Sequence, residues 1–274
     1  MSQTRAQALT ELHAKAQAKL TGNALRRLNA AWARTRVGDA RSVAQFFRYA
    51  EGVIADSFVM SGEASARYYQ EHRRALLGEA LFQSAEDAYA QARRLESASA
   101  QSRAGKLSAR AQRYVRDLRA AGVPEAQIRR LVGSRVLGEA SRLVQMGGRD
   151  ALAYFINSDP KVLGYQRRAS AKCCAFCAML ASRPNLYKTA RSAGAGASVG
   201  GRTFKAGPTA VGGPEAAPWH NNCRCVAVPV YSRTQRPPRN SAKYKRMWDR
   251  GEIEIRVSAD GTSYPVFKPK ESGA

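Results

Sequence analysis

The sequence predicts a mainly α-helical protein: a long multi-helix N-terminal domain, a small cysteine-stapled α+β module, and a basic, partly flexible C-terminal tail. Three observations carry this expectation. Proline occurs in the first 160 residues only at Pro124 and Pro160. Apolar residues there recur at spacings of three and four, the period of a helix face. All five cysteines then fall between Cys173 and Cys225, where glycine, alanine, proline and serine become abundant. The corresponding boundaries are 1–160 for the helical body, 161–231 for the module and 232–274 for the tail.

In chain order, the first helix is expected from Thr4 to Arg36. Leu9, Leu12, Ala16 and Leu20 form its stripe, Gly22 interrupts it, and Leu25, Leu28 and Trp32 resume it. Asp39 suits the N-cap of a second helix that buries Val43, Phe46, Phe47, Val53, Ile54 and Phe58. A break is expected at Ser61-Gly62, before a helix carrying Tyr68, Tyr69, Leu76 and Leu77. Further helices are expected over Glu79–Ser97 and Ala104–Ala121. Gly122-Val123-Pro124 gives a glycine stop followed by a proline start. The next helix runs to Met146, ends at Gly147-Gly148, and a short one follows over Arg149–Asn157. The stripes alternate with charged residues, so they read as core rather than membrane or cofactor faces.

After Pro160 a short strand is expected over Val162–Arg168, and Ala178-Met179-Leu180 reads as the first turn of a short helix. Residues 181–218 read as loop. Cys225–Tyr231 reads as an edge strand, because Pro229 has no N–H for a central ladder. The tail opens with a basic run from Arg233 to Lys245. A hairpin is then expected, Glu252–Val257 with Ser263–Lys268, turning at Asp260-Gly261.

The charge is far from balanced: 45 Lys and Arg against 21 Asp and Glu give +24. Such an excess favours a polyanionic partner, nucleic acid before an anionic membrane surface. The region from Lys161 to Tyr231 holds ten Lys and Arg and one acid, Glu215. Arg167, Arg168, Lys172, Arg202, Lys205 and Arg224 are its candidate phosphate contacts. The first seven residues contain no apolar signal-peptide core, and no segment has the roughly 18 uninterrupted apolar residues of a membrane span. The expectation is therefore a reducing cytoplasm and no membrane, where clustered cysteines are more often metal ligands than disulfides.

The cysteines form two clusters. Cys173-Cys174-Ala175-Phe176-Cys177 contains a C-x2-C knuckle, and His220-Asn221-Asn222-Cys223-Arg224-Cys225 reads H-x2-C-x-C. Tetrahedral zinc needs four such donors, and a C-x2-C turn can aim two sulfurs at one ion. Cys174 and Cys177 are the expected first pair, with Cys173 the spare. His220, Cys223 and Cys225 supply the rest, one of them standing behind the ligands. Four protein donors close the site, so the zinc would be structural. No histidine follows His220, which excludes a His-Asn-His nuclease pattern, and H-E-x-x-H, the deaminase H-x-E, a P-loop and G-x-S-x-G are all absent. His13 and His72 read as solvated residues on polar helix faces.

The string Gly164-Tyr165-x-Arg167-Arg168, Cys174-x2-Cys177-Ala178-Met179-Leu180-Ala181-Ser182-Arg183, Tyr187, His220-x2-Cys223-x-Cys225 and Val228-Pro229-Val230 resembles the phage Mu F-like minor capsid proteins. These are head morphogenesis proteins of tailed bacteriophages, and the variant is similar to those of actinobacterial phages and prophages. The resemblance spans about residues 160 to 231. It implies a low-copy structural protein of the head, associated with portal and capsid or scaffold proteins in the capsid interior, beside packaged double-stranded DNA. Before assembly its place would be the bacterial host cytoplasm. Some relatives are linked to a capsid maturation protease. An enzyme, either such a protease or a metal-dependent nuclease, is thus the alternative, although no catalytic constellation marks one. A cellular DNA-binding protein is a third reading.

Overall fold

The structure is a computed structural model that describes residues 2–171, 173–182, 198–199, 202–203, 223–257 and 263–268. It is mainly helical, with a small strand-containing region near the C-terminus. Four long helices come first: α1 (Gln3–Arg34), α2 (Ala40–Leu77), α3 (Ala85–Ala120) and α4 (Glu125–Ser158). Then follow β1 (Gly164–Arg168), α5 (Ala175–Ser182), β2 (Ser198–Val199), β3 (Arg202–Thr203), β4 (Val226–Val230), α6 (Ser241–Asp249), β5 (Ile253–Val257) and β6 (Ser263–Phe267). Among the described residues the strands pair antiparallel as β1–β4, β2–β3 and β5–β6. Among the described residues, no helix is long and apolar enough to cross a membrane.

The chain packs as two compact units. One comprises Met1–Ala14, Glu71–Glu79 and Phe155–Ala274; the other comprises Lys15–Gln70 and Ala80–Tyr154. The second, all-helical unit has a core of Leu28, Trp32, Phe46, Phe47, Ile54, Leu107, Ile128 and their neighbours. Trp32 and Phe46 lie 4.8 Å apart, and Phe46 meets Phe47 edge-on at 5.1 Å. Trp32 Nε1 donates to the Arg129 carbonyl at 3.0 Å. In return, the Arg129 guanidinium donates to the carbonyls of Trp32 and Thr35 at 2.9 and 2.8 Å. A cation there satisfies carbonyls that the end of α1 leaves without helical partners.

Helix ends follow local chemistry. Asp39 caps α2, accepting the Arg41 N–H at 2.8 Å. Ser84 and Asp87 form a capping box on α3. Gly122, at φ 69°, closes α3 while Val123 N–H donates back to Leu118 O, the left-handed stop that glycine favours.

Four expected breaks are absent. Helix α1 runs through Gly22, α2 runs through Ser61-Gly62, α3 joins the two helices expected between Glu79 and Ala121, and α4 runs through Gly147-Gly148. Gly147 and Gly148 serve close packing instead. A Cβ on Gly147 would collide with the Phe58 backbone carbonyl, and one on Gly148 would lie within 3 Å of Ser61, Ser65 and Gln17 side-chain atoms. Polar side chains fill this contact: Ser61 Oγ donates to Gln17 Oε1 at 2.6 Å and accepts the Gly148 N–H at 2.9 Å.

The stripe expected on α1 is also corrected. Leu12 is 60 % exposed, whereas Ala6, Thr10, His13, Gln17, Thr21, Ala24 and Leu28 are buried. Thr10 and Thr21 tolerate burial because their hydroxyls donate to the carbonyls four residues back. His13 and His72 are likewise buried rather than solvated.

In the first unit, the basic stretch after Tyr231 is built into the fold. Gln3 Nε2 donates to Thr234 O, Gln7 Nε2 to Pro237 O at 3.0 Å, and Arg236 N–H to Gln3 Oε1 at 2.9 Å. Helix α6, which the sequence reading did not foresee, packs on α5, with Tyr244 buried and its hydroxyl donating to the Ser170 carbonyl. The expected hairpin is present as β5–β6; its turn at Asp260-Gly261 lies outside the described residues. Buried Arg73 pairs with Asp159 at 2.7 Å, and Arg168 forms a two-pronged pair with Glu11.

Candidate metal centre

Sheet register brings the two cysteine clusters together. In the β1–β4 ladder, Arg168 lies opposite Val226 and Gly164 opposite Val230. The chain leaving β1 and the chain entering β4 therefore share one end of the ladder. The first continues through residues 169–174 into α5, and the second is Cys223-Arg224-Cys225.

Cys177 stands in the first turn of α5, where the positive end of the helix favours a thiolate. Its Sγ is 3.6 Å from that of Cys223. The sulfurs of Cys177, Cys223 and Cys225 all lie within 4.8 Å of one another, and none of the three residues is more than 2 % exposed. Two sulfurs on a tetrahedral zinc, each about 2.3 Å from the ion, are roughly 3.8 Å apart, whereas a disulfide needs about 2 Å. None of the five cysteines is in a disulfide. Three buried cysteines are thus close enough to hold a metal ion.

The acid–base chemistry is that of a site suited to a cation. Cys177 is held well above the ordinary thiol range by hydrogen bonding from Cys174, then Cys223 and Cys225, with burial adding to it. For Cys225, the bond with Cys177 pulls down, Cys223 and burial push up, and the net shift is upward. Adjacent buried thiols resist ionising together; a bound metal reverses this by supplying positive charge.

The remaining predicted ligands are placed as follows. Cys174 lies outside the buried trio and is exposed. The helix begins at Ala175, so Cys174 sits just before its first turn, its sulfur accepting the Cys177 N–H at 3.4 Å. Cys173, the spare, is half-buried; burial pushes its thiol up to about 11, partly opposed by a bond with Tyr244. His220 lies outside the described residues.

The predicted phosphate contacts are redistributed. Arg167 is 2 % exposed and Arg168 is engaged by Glu11, so neither offers its charge to solvent. Strand β1 is buried along most of its length, which sequence composition does not reveal. Arg224 is exposed. Lys172, Lys205 and the Arg202 side chain lie outside what is described. The basic run noted from Arg233 to Lys245 holds the exposed cations Arg233, Arg236, Arg239 and Lys243, with Arg246 just beyond it, and none of these was among the candidate phosphate contacts. The available signal was the three-residue spacing from Arg233 to Arg236 to Arg239 and from Lys243 to Arg246.

Over residues 2–251 the chain matches the family model described as VG15 protein. No curated protein and no solved structure matches it.

Proposed function

The chain belongs to the VG15 protein family, a family of phage gene products, and from that premise we propose that it is a minor structural protein of the phage head. Its role is head morphogenesis in association with portal and capsid or scaffold proteins, as the Mu F-like resemblance of residues 160–231 implies. The observation that carries this reading is the buried trio Cys177, Cys223 and Cys225. Donors enclosed in the core of a unit hold a structural ion and leave substrate no approach.

We assign zinc to the trio, with Cys174 or His220 completing four donors. Thiolate-rich tetrahedral sites favour zinc among the common divalent ions. The exposed cations Arg224, Arg233, Arg236, Arg239, Lys243 and Arg246 supply a surface for the phosphates of packaged duplex DNA. Phosphate neutralisation gives affinity without base reading and weakens steeply with salt.

Two measurements test the proposal. Proteomics of purified particles should find the chain in heads, and a phage lacking it should make defective heads; normal infectious heads without it would end the morphogenesis reading. Elemental analysis of the purified chain should return about one zinc, lost in Cys177→Ser with Cys223→Ser. A metal-free wild type would end the zinc assignment.

A further inference from the structure

We infer that Arg167 is the internal counter-charge of the cysteine centre: its guanidinium lies along the β1–β4 ladder toward Cys225 and balances the anionic metal–thiolate group. This rests on the reading that the trio holds a divalent ion. The sequence alone suggests phosphate binding for this residue, and its burial redirects the assignment.

The geometry begins with register. Arg167 lies opposite Ala227, and Cys225, the residue that leads into β4, precedes Ala227 by two. Side chains alternate across a strand, so Arg167, Ala227 and Cys225 share one face. Diagonal same-face neighbours in an antiparallel pair are separated by about 7–8 Å, within reach of a long side chain. Ala227, directly opposite, is small enough to leave that path open. Arg167 is close enough to Cys225 for its charge to act on that side chain.

The charge balance gives the arrangement its purpose. A divalent ion with three thiolates and a neutral imidazole carries −1, and with four thiolates it carries −2. Thiols no more than 2 % exposed receive little help from water, and burying net charge costs several kcal/mol per ion. Arginine remains protonated at any physiological pH. One such cation brings the first composition to zero and the second to −1.

The test is zinc affinity of the full chain, measured by competition against a chromophoric chelator across a pH series. Supporting groups around metal ligands typically contribute 10–100-fold in affinity. Arg167→Gln should therefore weaken zinc binding about 10–100-fold and move the pH of half-binding upward. Arg168→Gln, whose partner is Glu11, should leave both unchanged. Folded Arg167→Gln protein with wild-type affinity and an unmoved pH profile overturns the inference. Where Arg167→Gln does not fold, Arg167→Lys decides, because it keeps the charge. Affinity within about threefold of wild type supports the counter-charge, and a loss of about tenfold or more, the lower end of that range, overturns it. A wild-type chain that binds no zinc removes the metal reading itself, a result distinct from any of these.

Discussion

Gly147 and Gly52 are both interior to long helices of the same unit, yet replacement by alanine should act in opposite directions. In α4, a Cβ on Gly147 would lie 2.7 Å from the Phe58 carbonyl carbon and 2.9 Å from its Cδ1, with the carbonyl oxygen closer still. Ordinary contact begins near 3.4 Å. The obstacle is mainly backbone, so relief requires α2 and α4 to separate by a sizeable fraction of an ångström. Overpacking of this kind costs about 1–3 kcal/mol, and a backbone collision belongs at the upper end. Alanine recovers about 1 kcal/mol through helix propensity. Gly147→Ala should therefore destabilise by about 2 kcal/mol. In α2, Gly52 has nothing within 4 Å of its virtual Cβ, so Gly52→Ala should stabilise by about 1 kcal/mol. Urea unfolding followed by far-UV circular dichroism reads both. An equal gain in midpoint from the two substitutions would refute close helix approach as the reason for Gly147.

Three further outcomes follow from named contacts. Asp159→Asn leaves the buried Arg73 guanidinium with only the half-exposed Glu79 carboxylate, at 3.4 Å, and should cost about 3 kcal/mol, the lower end for a broken buried pair; Arg73→Met with Asp159→Leu should recover much of that in the same denaturation assay, and no recovery would refute the pairing argument. His13 and His72 are both held down to about 3, chiefly by burial, with His72 and Arg168 also acting on His13. The unfolded chain therefore binds protons below about pH 6.5 that the folded chain refuses, so stability is full above that pH and falls toward pH 3. At pH 5 each histidine should account for about 2 kcal/mol; a His13→Gln, His72→Gln variant that kept the wild-type slope in urea midpoints would refute it. Ser84→Ala removes the capping box of α3 and should lower stability by about 1 kcal/mol, again read from the urea midpoint.

The helical class was legible because proline is nearly absent and apolar spacing is regular across the first 160 residues. The helix count was not legible, because glycine is ambiguous in one dimension. At Gly122 it adopts a left-handed backbone and ends α3; at Gly147 and Gly148 it stays helical and admits a neighbouring helix. Hydrophobicity misplaced the α1 face for a related reason. Burial there favours Thr10, Gln17 and Thr21, whose hydrogen bonds close inside the fold, over the exposed Leu12. The cysteine cluster was legible as a composition of donors, but which thiols gather in the core depends on where α5 begins. A start at Ala175 puts Cys177 inside the first turn and Cys174 before it. Arg167 was misread because a buried cation and a phosphate-binding cation look the same in sequence.

A metal bound at the cysteine cluster would resolve a difficulty in the architecture of the unit that holds it. Two-stranded sheets are marginal on their own, and both β1–β4 and β5–β6 are pairs of this kind. Cys177 and Cys223 are separated by 45 residues, so holding α5 against the start of β4 restricts a long segment. By the loop-closure relation, a cross-link spanning such a segment contributes about 4 kcal/mol through the unfolded state. A disulfide would do this where the surroundings are oxidising. A metal held by Cys177, Cys223 and Cys225 would do it with reduced thiols, and its contribution would grow with free metal concentration by mass action. The position of the trio at the shared end of the ladder is where such a link constrains β1, α5 and β4 together.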